Sequence, residues 1–172
     1  MTVVFASFVG GCGKREPALV NPGMSSVNRH GAGSSASAPD AGALADPGVD
    51  LQSVRPVGKA FVSRGHFGGR WTAEIAVNEP AMQLYTNLAP SSRFGLGSVL
   101  VKKHASTSSS TRGPTFAMAK RDPGFFPEGG DWEYIVLDAE GRLEGRGKLA
   151  ACARCHAEGN ADRVFGLPQE AR

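Results

Sequence analysis

Apolar and polar residues alternate from Trp71 through Ala73, Ile75 and Val77, with Thr72 and Glu74 between them. That two-residue period is the signature of a half-buried strand, and it predicts one over 71–78. Asn78 is placed to cap a short helix over "EPAMQLYTNL" (79–88), with Pro80 in the first turn where its missing N–H costs little. "GSVLVKKH" (97–104) and "TFAMAK" (115–120) predict two further strands, separated by the polar loop "ASTSSSTRGP". The turn-rich "RDPGFFPEGGD" leads into "WEYIVLD" (132–138), whose residues have strong strand propensity. After the turn "AEGR", the segment "GRGKLAACARCHAEG" predicts a short strand running into a helix, with Gly159 as its C-cap. Successive strands joined by turns make an α+β fold: mainly antiparallel β-sheet with a few short helices, the last carrying C-x-x-C-H.

Composition divides the chain of 172 residues. No Phe, Trp or Tyr occurs between Phe8 and Phe61, and Gly, Ala, Ser and Pro dominate residues 13–57. Such a stretch cannot bury enough apolar surface to offset its ordering entropy, so it is expected to be a flexible linker ahead of a domain over 58–172. A net charge of +3, with no run of basic residues, gives no electrostatic footprint for nucleic acid. No apolar run approaches the ~20 residues of a membrane span. Residues 1–12 end in "VGGC", which resembles the bacterial lipobox that precedes a lipidated cysteine, here Cys12. Against that pattern, the segment before it lacks Lys and Arg and its apolar run is short. The expectation is a periplasmic or outer-membrane-tethered lipoprotein of a Gram-negative bacterium, touching the membrane only through that anchor.

Of the three cysteines, Cys152 and Cys155 stand in "CARCH" with His156. Three chemistries use such residues. A redox dithiol opens a helix after the central strand of a βαβ unit, which this pattern of strands does not provide. A zinc site needs two more ligands at suitable spacing, and only His66, His104 and the remote Cys12 remain. A covalently held haem uses all three residues: Cys152 and Cys155 add to the two vinyl groups, and the adjacent His156 ligates the iron. His66, His104, Met82 and Met118 are candidates for the opposite axial position. With none of them bound, the iron would be five-coordinate and open to small molecules.

The motif and the strands before it resemble the cytochrome P-460 and cytochrome c′-beta family over about residues 64–167. The likeness lies in "GSVLVKK" (97–103), "FAMAKRDPGFFPEGGDWEYIVLD" (116–138), "GKLAACARCH" (147–156) and "DRVFG" (162–166). It implies a mostly antiparallel sheet, one covalent haem c and a homodimer. In the cytochrome P-460 branch a lysine is cross-linked to the haem and the enzyme oxidises hydroxylamine. In the c′-beta branch a five-coordinate haem, capped by aromatic side chains, binds nitric oxide or carbon monoxide. Lys102 is the equivalent of the cross-linked lysine by alignment, with Lys103 the alternative; in a strand the two point to opposite faces. A Phe-Pro-x-Gly turn common in the family reads "FGLG" (94–97) here, which unsettles that register. Phe67 and Phe94 are candidates for the aromatic caps or for ordinary core positions, and Glu128 for a distal carboxylate and proton relay or a solvated turn residue. Trp132 and Tyr134 are expected to pack behind the haem. The first functional reading is a five-coordinate haem that binds nitric oxide. Two others stand beside it: oxidation of hydroxylamine or a related nitrogen species, and electron transfer to a redox partner protein with Met118 as sixth ligand.

Overall fold

The computed structural model describes residues 49–109 and 111–172. The lipobox-like segment, Cys12 and the linker as far as residue 48 lie outside them. Six strands follow one another: β1 (Arg55–Val62), β2 (Trp71–Val77), β3 (Val99–Ser106), β4 (Arg112–Lys120), β5 (Trp132–Leu137) and β6 (Leu143–Gly147). Each pairs antiparallel with the next, so chain order and sheet order coincide. Helix α1 (Glu79–Thr86) lies between β2 and β3, and α2 (Ala150–His156) follows β6. Over the described residues the class is therefore mainly antiparallel β with two short α-helices.

Alternation along the strands sorts residues onto two faces. One face packs Val77, Leu100, Met118, Trp132 and Tyr134 against Ala81 and Tyr85 of α1 and Ala153 of α2. The other packs Val99, Val101, Ala117, Ala119, Ile135 and Leu137 against Val49, with Leu51 and Val54 at its margin. Each aliphatic side chain so enclosed contributes roughly 1.5–3 kcal/mol of transfer free energy.

Arg55–Val57 are assigned to the linker by composition, but they open β1, and the chain is already packed at Val49. Isolated apolar residues among polar ones suffice there because they cover a face that the strands have already made. In β1 the register shifts between Val57 and Phe61. Gly58 sits in this irregularity at φ +71, and a Cβ there would lie 2.3 Å from the Ala171 carbonyl oxygen. Only glycine lets the C-terminal turn close onto β1.

Asn78 precedes α1, yet its side chain makes no cap. Its Oδ1 accepts from the Val99 N–H (2.9 Å) and its Nδ2 donates to the Gly97 carbonyl (2.8 Å), so it ties β2 to the start of β3. Pro80 occupies the first turn as expected.

On the second face Glu133 is 7% exposed and lies between two guanidinium groups. Arg146 Nε donates to Oε1 (2.8 Å) and Arg121 Nε to Oε2 (2.8 Å). Burial works against the carboxylate, but these bonds outweigh it and hold the Glu133 carboxyl below its usual range.

Candidate cofactor site on the helix-bearing face

Helix α2 is only two turns long, and its cysteines and histidine follow from helical spacing. Cys152 and His156 are four residues apart and Cys155 three from Cys152, so all three lie along one side. Cys152 and Cys155 are half-buried and not joined in a disulfide. Burial pushes the Cys152 thiol up, opposite to the depressed value that a nucleophilic dithiol requires.

The orientation of His156 is fixed from outside the helix. Its Nδ1–H donates to the Arg163 carbonyl at 2.9 Å, and the ring packs against Tyr134 and Phe165, each with centroids 5.5 Å away. Nε2 makes no hydrogen bond among the described residues, and it is the nitrogen left for a metal. Burial holds the imidazole neutral, aided by the positive charges of Lys102 and Arg163.

The loop that offers the Arg163 carbonyl is itself pinned. Asp162 and Arg163 both have positive φ, 53° and 65°, a conformation unfavourable for non-glycine residues. Asp162 is held there by its Oδ2, which accepts from Lys120 Nζ (2.7 Å) and the Phe94 N–H (2.9 Å). Its carbonyl accepts from the Trp132 indole N–H at 2.8 Å. Gly159 is not a left-handed helix cap. A Cβ there would meet the Arg163 carbonyl carbon at 2.6 Å, so its role is to let the loop fold back against α2. Gly159→Ala is expected to cost roughly 1–3 kcal/mol by overpacking and to loosen the His156 ring. Urea unfolding reads the first effect and the 15N signal of the His156 Nδ1–H the second; an unchanged signal would show that the loop yields without moving the carbonyl.

Beside α2 the same sheet face carries a second set of groups. Lys102 and His104 stand two apart on β3, and Phe116 pairs with Lys102 across to β4. The β3–β4 register shifts around His104, where Gly113 and Pro114 bulge opposite it. The His104 Nδ1 is 2.9 Å from the Pro114 carbonyl, to which it donates, and Nε2 is 3.1 Å from Ser63 Oγ. His66, in the turn between β1 and β2, stacks on Phe116 (4.2 Å) and lies 5.5 Å from the His104 ring. Burial, then Lys102, His104 and His156, push His66 down to about 3. Burial likewise takes His104 down to about 4 and Lys102 down to about 8. Lys103 is exposed, so of the two lysines Lys102 is the one on the α2 face.

The other expected residues fall less centrally. Phe94 is a core residue, edge-on to Trp132 at 5.5 Å and tied to Asp162, so it packs beside the His156 loop instead of capping an open face. Phe67 begins a 3-10 turn, Phe67–Gly69, and its side chain lies outside the described residues. Glu128 is exposed on the 3-10 turn Pro127–Gly129, with no hydrogen bond or ion pair among the described residues. It is not among the charges acting on Lys102 or the histidines. Met118 is buried between Leu100 and Tyr134, a core position. Phe61, Phe116 and Phe165 line this region; only the strand register and the loop after α2 could have revealed them.

The donor set answers what a c-type haem requires: two thiols, an imidazole with one nitrogen open, and polar atoms awaiting partners. Among the described residues, the buried His66 Nδ1 and Tyr134 hydroxyl have no hydrogen-bond partner. Among the described residues no three His, Cys, Asp or Glu side chains converge on a point, as a zinc site would need. No protein-family model matches the chain, nor does any curated protein sequence.

Proposed function

We propose that this is a mono-haem c-type cytochrome of the P-460/c′-beta type, whose haem is held by Cys152, Cys155 and His156 and binds a small ligand such as nitric oxide. The observation that carries the reading is the Arg163 carbonyl holding His156 Nδ1–H, which selects the tautomer with Nε2 available to iron. Iron, when bound there, supplies a site for a diatomic or nitrogenous ligand. The chain's own residues orient the His156 imidazole and push its protonation down, and Phe61, Phe116 and His66 would line the neighbouring sheet face. Met118 packs between Leu100 and Tyr134 as part of the core, which is account enough of its position without a ligand role in an electron carrier.

A second reading draws on Lys102. Half-buried and taken down to about 8, its amine is deprotonated more readily than any ordinary lysine, as a covalent link to haem would require. In that case the protein is an oxidoreductase acting on hydroxylamine or a related nitrogen compound.

Expression of the full chain in a host with c-type haem attachment machinery tests both. We expect one haem per chain, covalently retained after denaturation, and none in Cys152→Ala/Cys155→Ala. Intact-mass and peptide analysis then decides between the readings: haem on the two cysteines alone means a ligand-binding cytochrome, haem also on the Lys102 peptide means the enzyme. Both thiols unmodified in that host would overturn the proposal.

A further inference from the structure

Among the described residues, the face beside α2 gathers positive and proton-accepting groups without a carboxylate. His66, Lys102 and His104 meet around Phe116, through the 4.2 Å and 5.4 Å ring contacts of the two histidines and the cross-strand pairing of Lys102. The Lys102 ammonium lies over the Phe61 ring at 5.7 Å and has no ion pair among the described residues. The nearby acids are committed elsewhere. Glu74 pairs across the strands with Lys103 on the opposite face, Glu133 is held by Arg121 and Arg146, and Asp162 by Lys120. The charges acting on these groups come from one another, from His156 and, at His156, from Arg163. A half-buried ammonium beside a buried nitrogen with no partner is an expensive arrangement unless something negative completes it.

We propose that Lys102 and His66 form a site for a two-oxygen monoanion, one oxygen taken by the Lys102 ammonium and the other by the His66 Nδ1 as its N–H, with His104, whose ring nitrogens are held by the Pro114 carbonyl and Ser63 Oγ, packed beside them. Two sources supply that chemistry: a free anion such as nitrite or formate, or a carboxylate of a bound haem. The inference goes beyond the haem reading, because the site is complete without Cys152, Cys155 or iron. Binding favours the protonated amine, so affinity falls as pH rises through about 8, where Lys102 loses its proton.

Sodium nitrite and sodium formate are titrated at pH 6.5 and constant ionic strength into two forms of the full chain, the haem-attached protein and Cys152→Ala/Cys155→Ala. The readouts are the ring signals of His66 and His104 by NMR and the melting temperature. In the second form Lys102 is unmodified whichever reading of it holds. We expect saturable binding there, weakened about tenfold or more in Lys102→Met, as loss of a charge-assisted bond implies. Lys102→Arg retains it, and Lys103→Met, on the opposite face, leaves it unchanged. Saturation in both forms identifies a free anion as the occupant; saturation only in the form without cysteines identifies a haem carboxylate where peptide mass shows Lys102 unmodified in the haem-attached form, and a Lys102–haem link where it does not. No saturable binding in either form, with circular dichroism showing both folded, overturns the inference, as does equal weakening by Lys103→Met. Should haem fail to attach at all, the form without cysteines still tests the anion site.

Discussion

Trp132→Ala is expected to remove about 4–5 kcal/mol of stability, a large share of what a domain of this size possesses. The side chain is fully buried, packs edge-on against Phe94 and lies 4.9 Å from the Lys120 ammonium. Truncation leaves a cavity the size of an indole in the middle of the first cluster. It also strands the Asp162 carbonyl, which accepts from the indole N–H. That loop carries the Arg163 carbonyl, so the loss reaches His156 as well. Trp132→Phe separates the two effects: it keeps most of the apolar volume and should cost about 1–2 kcal/mol, the value of one buried hydrogen bond and its orphaned acceptor. Urea denaturation of the three proteins checks this. A cost under about 1 kcal/mol for Trp132→Ala would mean that the cluster closes over the gap and the indole is not its centre.

The second large effect is a loss of stability in mild acid. In the unfolded chain His66 and His104 take up protons below the usual 6.5, while in the folded protein burial delays this to about 3 and about 4. Between those limits the unfolded state binds more protons, so stability falls with falling pH by about 1.4 kcal/mol per pH unit for each histidine. Together they remove about 3–4 kcal/mol between pH 7 and pH 5. The Glu133 carboxyl, depressed in the folded state, stabilises above its unfolded value and adds its loss only at lower pH, as it protonates. At the other end Lys102 adds stability as pH rises from about 8 to the unfolded 10.5, because only the unfolded chain then keeps the proton. Urea midpoints for Cys152→Ala/Cys155→Ala at pH 7, 6 and 5 measure the acid limb without haem. His66→Leu should take about 1.4 kcal/mol per pH unit off the slope, leaving the shares of His104 and of His156, which burial also pushes down. A flat profile from pH 7 to pH 5 would mean that water reaches both rings.

The strands that align with a buried face are legible from sequence alone, because alternation at 71–77 and the β-branched and aromatic run at 132–137 are local signals. β1 is not: an edge strand, mostly exposed and built largely from Arg, Pro, Gly and Lys, it takes its identity from the neighbour it pairs with. β6, at the other edge, is legible as the short strand leading into α2, although it begins two residues before that segment. The cysteines and His156 announce themselves by spacing, whereas the atom that orients His156 is a main-chain carbonyl seven residues away and leaves no trace in side-chain chemistry. His66, His104 and Phe116 come from three separate segments, and their meeting depends on strand register and on the bulge opposite His104. Glu133 reads as the polar position of an alternating strand; only the pairing shows that two arginines enclose it.

The two-sided sheet has a consequence for how this protein can change. Val49, Val101, Ile135 and Leu137 lie on the face turned away from α2, and share no cluster with Tyr134 or Ala153. Changes on the two sides should therefore add with little coupling, apart from effects transmitted through the strands themselves. A lineage, or an engineer, can raise the thermal reserve on the rear side first and then spend it on disruptive substitutions around Lys102, His66 and Phe116. Innovation in chemistry and robustness of folding are thus inherited through separate sets of positions, although β3, β4 and β5 each supply residues to both.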